Sequence, residues 1–327
     1  MPIVIGILSA IAAAAAVLFG FGYYAYRTAF YNNPKKNPPN PYRHVKDDGS
    51  EESRFSKRLI DEMIARPAEN VYITSRDGLK LRARLYVQNE NAPFALAMHG
   101  YRSTPMLDFS GGGALALELG LNLLMPDQRA CGESEGRSVS FGYNESLDTL
   151  DWVKFITSRF GADRKIVLLG VSLGAGTVIM TAGRGVPENV LGVIADCTFS
   201  SAKKIIMKVM RDRGIPQFLY PILRFGTLVY GGFDPNKAEP RALASNIKIP
   251  LMLVHGEADS FVPPEMSREI YEAAGGAEIH TFPGARHGTS YIADAERYKR
   301  ITADFLLRIF GEDFSQKTEK KGEKYEA

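Results

Sequence analysis

Lys165-Ile-Val-Leu-Leu-Gly170-Val-Ser172-Leu-Gly174-Ala-Gly176-Thr-Val-Ile-Met180 is an apolar run that meets a serine with a glycine two residues away on either side, then continues with helical character. The pattern predicts a strand, a sharp turn with Ser172 at its tip, and a helix. Gly170 and Gly174 suit that geometry, because a serine held in a strained turn draws the strand and helix backbones together and leaves no room for a Cβ. The pattern G-x-S-x-G is short enough to recur by chance, so its strand-to-helix setting is what gives it weight.

Outward from this stretch, further continuous apolar runs occur at Phe94-Ala-Leu-Ala-Met, Leu121-Asn-Leu-Leu-Met, Leu191-Gly-Val-Ile-Ala and Leu251-Met-Leu-Val. Continuous apolar character marks strands covered on both faces. Helical stretches separate them, around 114–119, 143–159, 175–183 and 264–274. Upstream, Val71-Tyr-Ile-Thr-Ser and Leu79 to Val87 alternate around Arg76-Asp77-Gly78, the pattern of an antiparallel hairpin with one solvated face. The expectation is an α/β domain over 51–311: a mostly parallel sheet entered by an antiparallel hairpin, with helices on both faces. An amphipathic helix over 51–65 should pack at its edge, and a helix over 291–310 should close it. The Lys/Glu-rich segment 312–327 reads as a frayed tail.

One interval interrupts the alternation. Residues 198–247 hold two helical patches, 202–211 and 217–230, rich in Ile, Met, Phe, Leu and Tyr but dotted with Lys203, Lys204, Lys208, Arg211, Arg213 and Arg224. An insertion at the carboxyl ends of strands covers the crevice where ligands bind in open α/β sheets, so this segment reads as a small helical lid. It could pack on the domain with its lysines solvated, or lie on a membrane surface.

From Pro2 to Tyr26 there is no charged side chain, and the run is long enough to cross a hydrocarbon core of about 30 Å as a helix. A cleaved signal peptide would need a basic residue ahead of the apolar run; here Tyr23, Tyr24, Tyr26 and Arg27 follow it instead, as in an interfacial aromatic belt. Residues 1–28 are therefore expected to be a membrane anchor. Residues 29–50, with Pro34, Pro38, Pro39 and Pro41, read as an extended linker. Arg27, Lys35, Lys36 and Arg43 follow the span, which places the domain on the cytoplasmic side by the positive-inside rule.

Composition excludes several classes. A net charge of +3 over 327 residues, without a basic stripe, argues against a nucleic-acid partner. Cys131 and Cys197 are the only cysteines and lack metal-ligand spacing, so neither a disulfide framework nor a metal site is expected. Gly174-Ala-Gly176 invites a dinucleotide reading, but Ile179 stands where the third glycine belongs, and no lysine completes a phosphate loop. No cofactor is expected.

A serine hydroxyl needs a base to take its proton and an acid to orient that base. Of five histidines, His287 in Pro283-Gly-Ala-Arg-His287-Gly288 lies on a loop before the last helix and follows the serine in the required chain order. His99 and His255 end apolar runs, where structural roles are easily supplied. Asp259, in His255-Gly256-Glu-Ala-Asp259-Ser-Phe-Val-Pro263, is placed to serve as the acid, with Asp196 and Glu257 as rivals. For an oxyanion, Leu173 N–H follows the nucleophile, and Tyr101 N–H follows the strand ending His99-Gly100.

Together these residues resemble the α/β-hydrolase superfamily from about Val71 to Phe310, and more narrowly its membrane-anchored single-domain serine hydrolases with a short lid. The His-Gly loop, the turn Asp127-Gln-Arg129-Ala130-Cys131-Gly132-Glu-Ser134, the serine elbow, the Asp259 loop and His287-Gly288 occur in the order of that group, with Ala130 where a glycine is usual. Arg129 and Asp127 read as loop-bracing ion-pair formers. The resemblance implies acyl transfer to water, with ester, thioester and peptide substrates all represented in the superfamily. The anchor and apolar lid favour a hydrophobic acyl ester, with Met106, Phe199 and Phe261 either lining its pocket or belonging to the core. A membrane-anchored binding protein without activity is the alternative from outside enzymology.

Overall fold

The computed structural model describes residues 1–34, 38–43, 45 and 48–311. The tail expected over 312–327 lies outside the described residues, as do Lys35, Lys36 and His44. The chain begins with α1 (Pro2–Ala29) and α2 (Glu51–Ala65). The sheet then opens with β1 (Glu69–Thr74), β2 (Lys80–Tyr86) and β3 (Phe94–Met98), followed by α3 (Pro105–Asp108), α4 (Gly112–Glu118) and β4 (Asn122–Pro126). Next come α5 (Glu145–Phe160), β5 (Ile166–Val171), α6 (Leu173–Gly183) and β6 (Val190–Asp196). The inserted segment holds α7 (Ala202–Asp212), α8 (Tyr220–Gly226), a π turn (Thr227–Gly231) and α9 (Pro240–Ala244). The chain closes with β7 (Leu251–Gly256), α10 (Glu265–Ala274), β8 (Glu278–Phe282), α11 (Ser290–Ala293) and α12 (Ala295–Phe310).

The eight strands form one sheet in the order β1-β2-β4-β3-β5-β6-β7-β8. The hairpin β1–β2 and the pairing of β2 with β4 are antiparallel, and every other pairing is parallel. Because side chains alternate across a strand, each apolar run feeds two cores. Ala95, Ala97, Val167, Leu169, Met252 and Val254 pack on one face with α4 and α12. Phe94, Leu96, Met98, Ile166, Leu168, Leu251 and Leu253 pack on the other with α5 and α6. The chain leaves β3 for β4 on one side and returns to β5 on the other, so the carboxyl ends of β3 and β5 frame the crevice where the order reverses.

Two sequence expectations change at this level. The strand β8 escaped notice because Glu278-Ile-His-Thr-Phe is short, polar and only partly buried. The single final helix is two, parted at Asp294, whose carboxylate caps α12 by accepting from Arg297 N–H.

The boundary expected between residues 28 and 29 also moves. Residues 1–21 are exposed, but Gly22 and Tyr26 are buried. Phe30 has no exposed surface, with its ring 5.5 Å from Phe141 and 5.4 Å from Phe233. Tyr31 bridges Ser138, and Asn32 N–H donates to Arg137 O at 3.0 Å. The start of the expected linker is thus packed into the domain, because an aromatic pair at 30–31 finds a hydrophobic socket that the proline-rich composition downstream conceals. The inserted segment joins this socket: Tyr26, Phe30, Phe199, Ile205, Ile206, Met210, Tyr220, Leu223 and Phe233 share one cluster.

Candidate active site

Ser172 ends the β5-to-α6 turn with φ +55° and ψ −115°, a conformation few side-chain-bearing residues tolerate. The neighbours permit it for a steric reason. A Cβ on Gly174 would sit 1.7 Å from Met98 O, and one on Gly170 would sit 2.3 Å from Gly174 O. Ser172 N–H donates to Asp196 O at 2.9 Å, which locks the turn to the adjacent strand.

The loop after β8 carries His287 to this serine. His287 Nε2 lies 2.9 Å from Ser172 Oγ, and His287 Nδ1 lies 2.7 Å from Asp259 Oδ2. Asp259 Oδ1 accepts from the Phe261 and Val262 N–H groups, both at 2.9 Å. Burial pushes the Asp259 carboxyl up, but hydrogen bonds from His255 and His287 outweigh it and hold the group well below the usual carboxylate range. A carboxylate at Nδ1 puts the imidazole proton there, so Nε2 is left to accept from the serine hydroxyl.

The rival acids occupy other positions. Asp196 Oδ1 accepts from Ser290 Oγ at 3.1 Å, and burial raises its carboxyl to about 6. Glu257 is exposed and accepts from Thr281 Oγ1 at 2.7 Å. Among the described residues, neither is hydrogen-bonded to His287.

The expected oxyanion donors flank the serine on two sides. Leu173 opens α6, so its N–H is one of the orphan donors of a helix start. Tyr101 follows Gly100, whose own N–H donates to Asp108 Oδ2 at 2.5 Å. Ser103 Oγ donates to Asp108 Oδ1 at 2.7 Å, so one carboxylate gathers the whole turn. His99 braces it from beneath: Gln128 N–H donates to Nε2 at 3.0 Å, which leaves the proton on Nδ1 for Gly100 O at 2.8 Å. The Tyr101 hydroxyl reaches outward and donates to Ala29 O at 2.6 Å.

The three pocket candidates part company. Phe261 is 48% exposed and stands edge-on to the His287 ring at 5.0 Å. Phe199 is buried in the cluster shared by α1 and the insertion, and Met106 is buried in the core beside α4. A cavity of 810 Å³ lined by Glu52, Phe55, Arg58, Ala285, Arg286 and Thr289 runs along the outer side of the His287 loop and contains none of the site residues.

Sequence reasoning missed Asp108 and the second histidine on the acid. His255 Nε2 faces Val262 O at 2.9 Å and Asp259 Oδ2 at 3.2 Å, while Nδ1 faces Ser267 Oγ at 2.6 Å. His255, four residues before Asp259 at a strand end, was a readable signal; Asp108 had none. Arg129 does brace, joining Asp148 at 2.6 Å to Asp77 at 2.8 Å, and Asp127 pairs with Arg82 at 3.0 Å. Ala130, where a glycine is usual, adopts the left-handed region that glycine favours, at φ +61°. Cys197 Sγ lies within 4.8 Å of ligand atoms of Asp259 and His287. Burial raises that thiol well above its ordinary value, and the other two groups are committed to each other, so the trio does not suit a cation.

A family model described as alpha/beta hydrolase fold matches residues 107–220, and one described as Serine aminopeptidase, S33, matches residues 237–291. The uncharacterized protein YqkD of Bacillus subtilis is 27% identical over 195 residues, a match spanning 59% of this chain and 64% of that protein. The uncharacterized membrane protein YNL320W of Saccharomyces cerevisiae is 26% identical over 248 residues, covering 74% of this chain and 80% of the other. Among solved structures, the Pyrococcus furiosus esterase Pf2001 superposes with a TM-score of 0.61 at 22% identity, covering 86% of this chain and 99% of the other. The first match runs into the inserted segment and the second begins within it; together with the mostly parallel sheet described above and the likeness to that solved structure, they show that the chain has an α/β-hydrolase fold.

Proposed function

We propose that the chain is a serine hydrolase that transfers the acyl group of a hydrophobic carboxylic ester to water. The observation that carries this reading is the line Asp259–His287–Ser172, hydrogen-bonded at 2.7 and 2.9 Å and ending on a serine at positive φ. Ser172 Oγ attacks the ester carbonyl while His287 Nε2 takes its proton. The same proton passes to the departing alkoxide, leaving an acyl-enzyme, and a water activated by His287 then releases the acid. Asp259 holds the imidazole and stabilises its cationic form, and the Leu173 and Tyr101 N–H groups receive the oxyanion. Phe261, exposed beside His287, supplies an apolar contact for the acyl chain.

In this proposal α1 anchors the enzyme in a membrane. One described helix, Pro2–Ala29, has the length and apolarity to cross a bilayer, and Arg27 in its last turn and Arg43 beyond it favour a cytoplasmic domain. A fluorophosphonate probe should label the wild type and not Ser172→Ala, and hydrolysis of p-nitrophenyl esters should rise with acyl length. Absence of labelling on folded protein defeats the serine mechanism, and a flat chain-length series defeats the apolar pocket. The aminopeptidase description attached to residues 237–291 favours a second reading, amide cleavage. Aminoacyl arylamides turned over faster than esters would establish it.

A further inference from the structure

The inserted segment is bound to α1. A Cβ on Gly226 of α8 would lie 2.0 Å from Gly22 O of α1, so the two backbones touch where only glycine fits. Phe19 and Phe225 meet edge-to-face at 5.0 Å, and so do Tyr23 and Tyr230 at 5.1 Å. Tyr230 Oη donates to Phe19 O at 3.2 Å. The contacts therefore run along α1 from Phe19 to Tyr26.

Helix length sets where that contact lies. At about 1.5 Å per residue, the 28 residues of α1 extend for about 42 Å, while a hydrocarbon core is about 30 Å thick. Roughly twenty residues from Pro2 fill the core, which brings the chain to about Phe21. The segment held by α8 and the π turn is thus the stretch where α1 leaves the lipid. On the same element Ile215, Phe218, Leu228, Val229 and Tyr230 are exposed, Phe218 at 79%. Arg211 and Arg213 are exposed next to Ile215.

We propose that the segment from Ile215 to Tyr230 is a lipid-docking surface, seated in the interfacial layer of an anionic bilayer beside α1. This rests on the reading of α1 as a membrane span. Apolar side chains enter the acyl boundary while the arginines meet headgroup phosphates. The site lies just above, because the Tyr101 hydroxyl and Arg102 guanidinium bind the carbonyls of Ala29 and Thr28 at the end of the same helix. A lipophilic ester can then reach Ser172 from the bilayer without crossing water.

The test uses the full chain in vesicles of phosphatidylcholine and phosphatidylglycerol, with or without brominated acyl chains that quench tryptophan on contact. Trp152, the single tryptophan, is 1% exposed and provides an unquenched background. Reporters are Phe218→Trp and Val229→Trp on the lid, Ile11→Trp in the span, and Leu307→Trp on α12, close to the Phe310 carbonyl that binds Lys165 at the amino end of β5. The proposal expects Ile11→Trp and both lid variants to lose most of their added emission, with Leu307→Trp unchanged. Quenching of Ile11→Trp with neither lid variant affected overturns lid docking and leaves the anchor standing. If none is quenched, the anchor itself fails and the docking surface with it.

Discussion

Asp196 and Asp259 end or follow neighbouring buried strands, β6 and β7, yet they stand in opposite electrostatic circumstances. Asp196 is buried with only hydroxyl partners, those of Ser290 and Tyr298, and its carboxyl is raised to about 6. Asp259 is likewise buried, but it receives two backbone N–H groups and two imidazoles and stays charged. Burial alone favours the neutral acid; burial with enough donors makes a strong anion. Only the second can hold an imidazole in one orientation and support it as a cation.

The largest effect expected from this contrast is on turnover. Asp259→Asn should lower kcat by about 10⁴-fold, because the amide favours the wrong imidazole tautomer. Asp196→Asn should lower it by less than about tenfold, since Asp196 does not touch His287; steady-state kinetics on one ester decides. A reversal of the two losses would reassign the acid. Next comes His255→Ala, which removes one donor from Asp259 and should cost kcat roughly tenfold, the equivalent of about 1.4 kcal/mol, with KM unchanged.

The third expectation concerns stability. Asp196 binds its proton more tightly folded than unfolded, so stability falls as pH rises from about 4 through about 6. Its shift from 3.8 to about 6 corresponds to a change on the order of 3 kcal/mol. Asp259 works in the other direction: its depressed value adds stability that is present above about pH 4 and lost as pH falls toward its folded value. Denaturant midpoints at pH 4 and pH 8 should show Asp196→Asn gaining at pH 8 relative to wild type and not at pH 4. The smallest effect is that of Tyr101→Phe. It keeps the N–H but loses the hydroxyl bond to Ala29 O, about 1 kcal/mol of stability and less than about threefold in kcat.

That Ser172, Asp259 and His287 come together was legible because these residues of the candidate site sit at strand ends with glycine neighbours, where local sequence dictates local backbone. Ser172, Asp259 and His287 each follow an apolar or alternating run and precede a helix, so their order along the chain carried spatial information. What could not be read depends on contacts that no local pattern specifies. Asp108 serves Gly100 across one turn with nothing in its residue neighbourhood to mark it, and Phe30 fits a socket built by the distant Phe141 and Phe233. Burial of Met106 and Phe199 likewise depends on how α3 and the insertion fold back, which hydrophobicity alone does not specify. In the sheet, β8 was hidden because an edge strand needs little apolar character.

The docking of Phe30 has a consequence for how the protein is made. Phe30 leaves the ribosome early, but Phe233 follows about two hundred residues later. If α1 enters the bilayer during synthesis, the domain folds while already tethered, and its lid cluster can close only when the last segment of α1 stands clear of the lipid. Assembly of the fold and seating of the protein on the membrane then become one event, completed by the same aromatic contact.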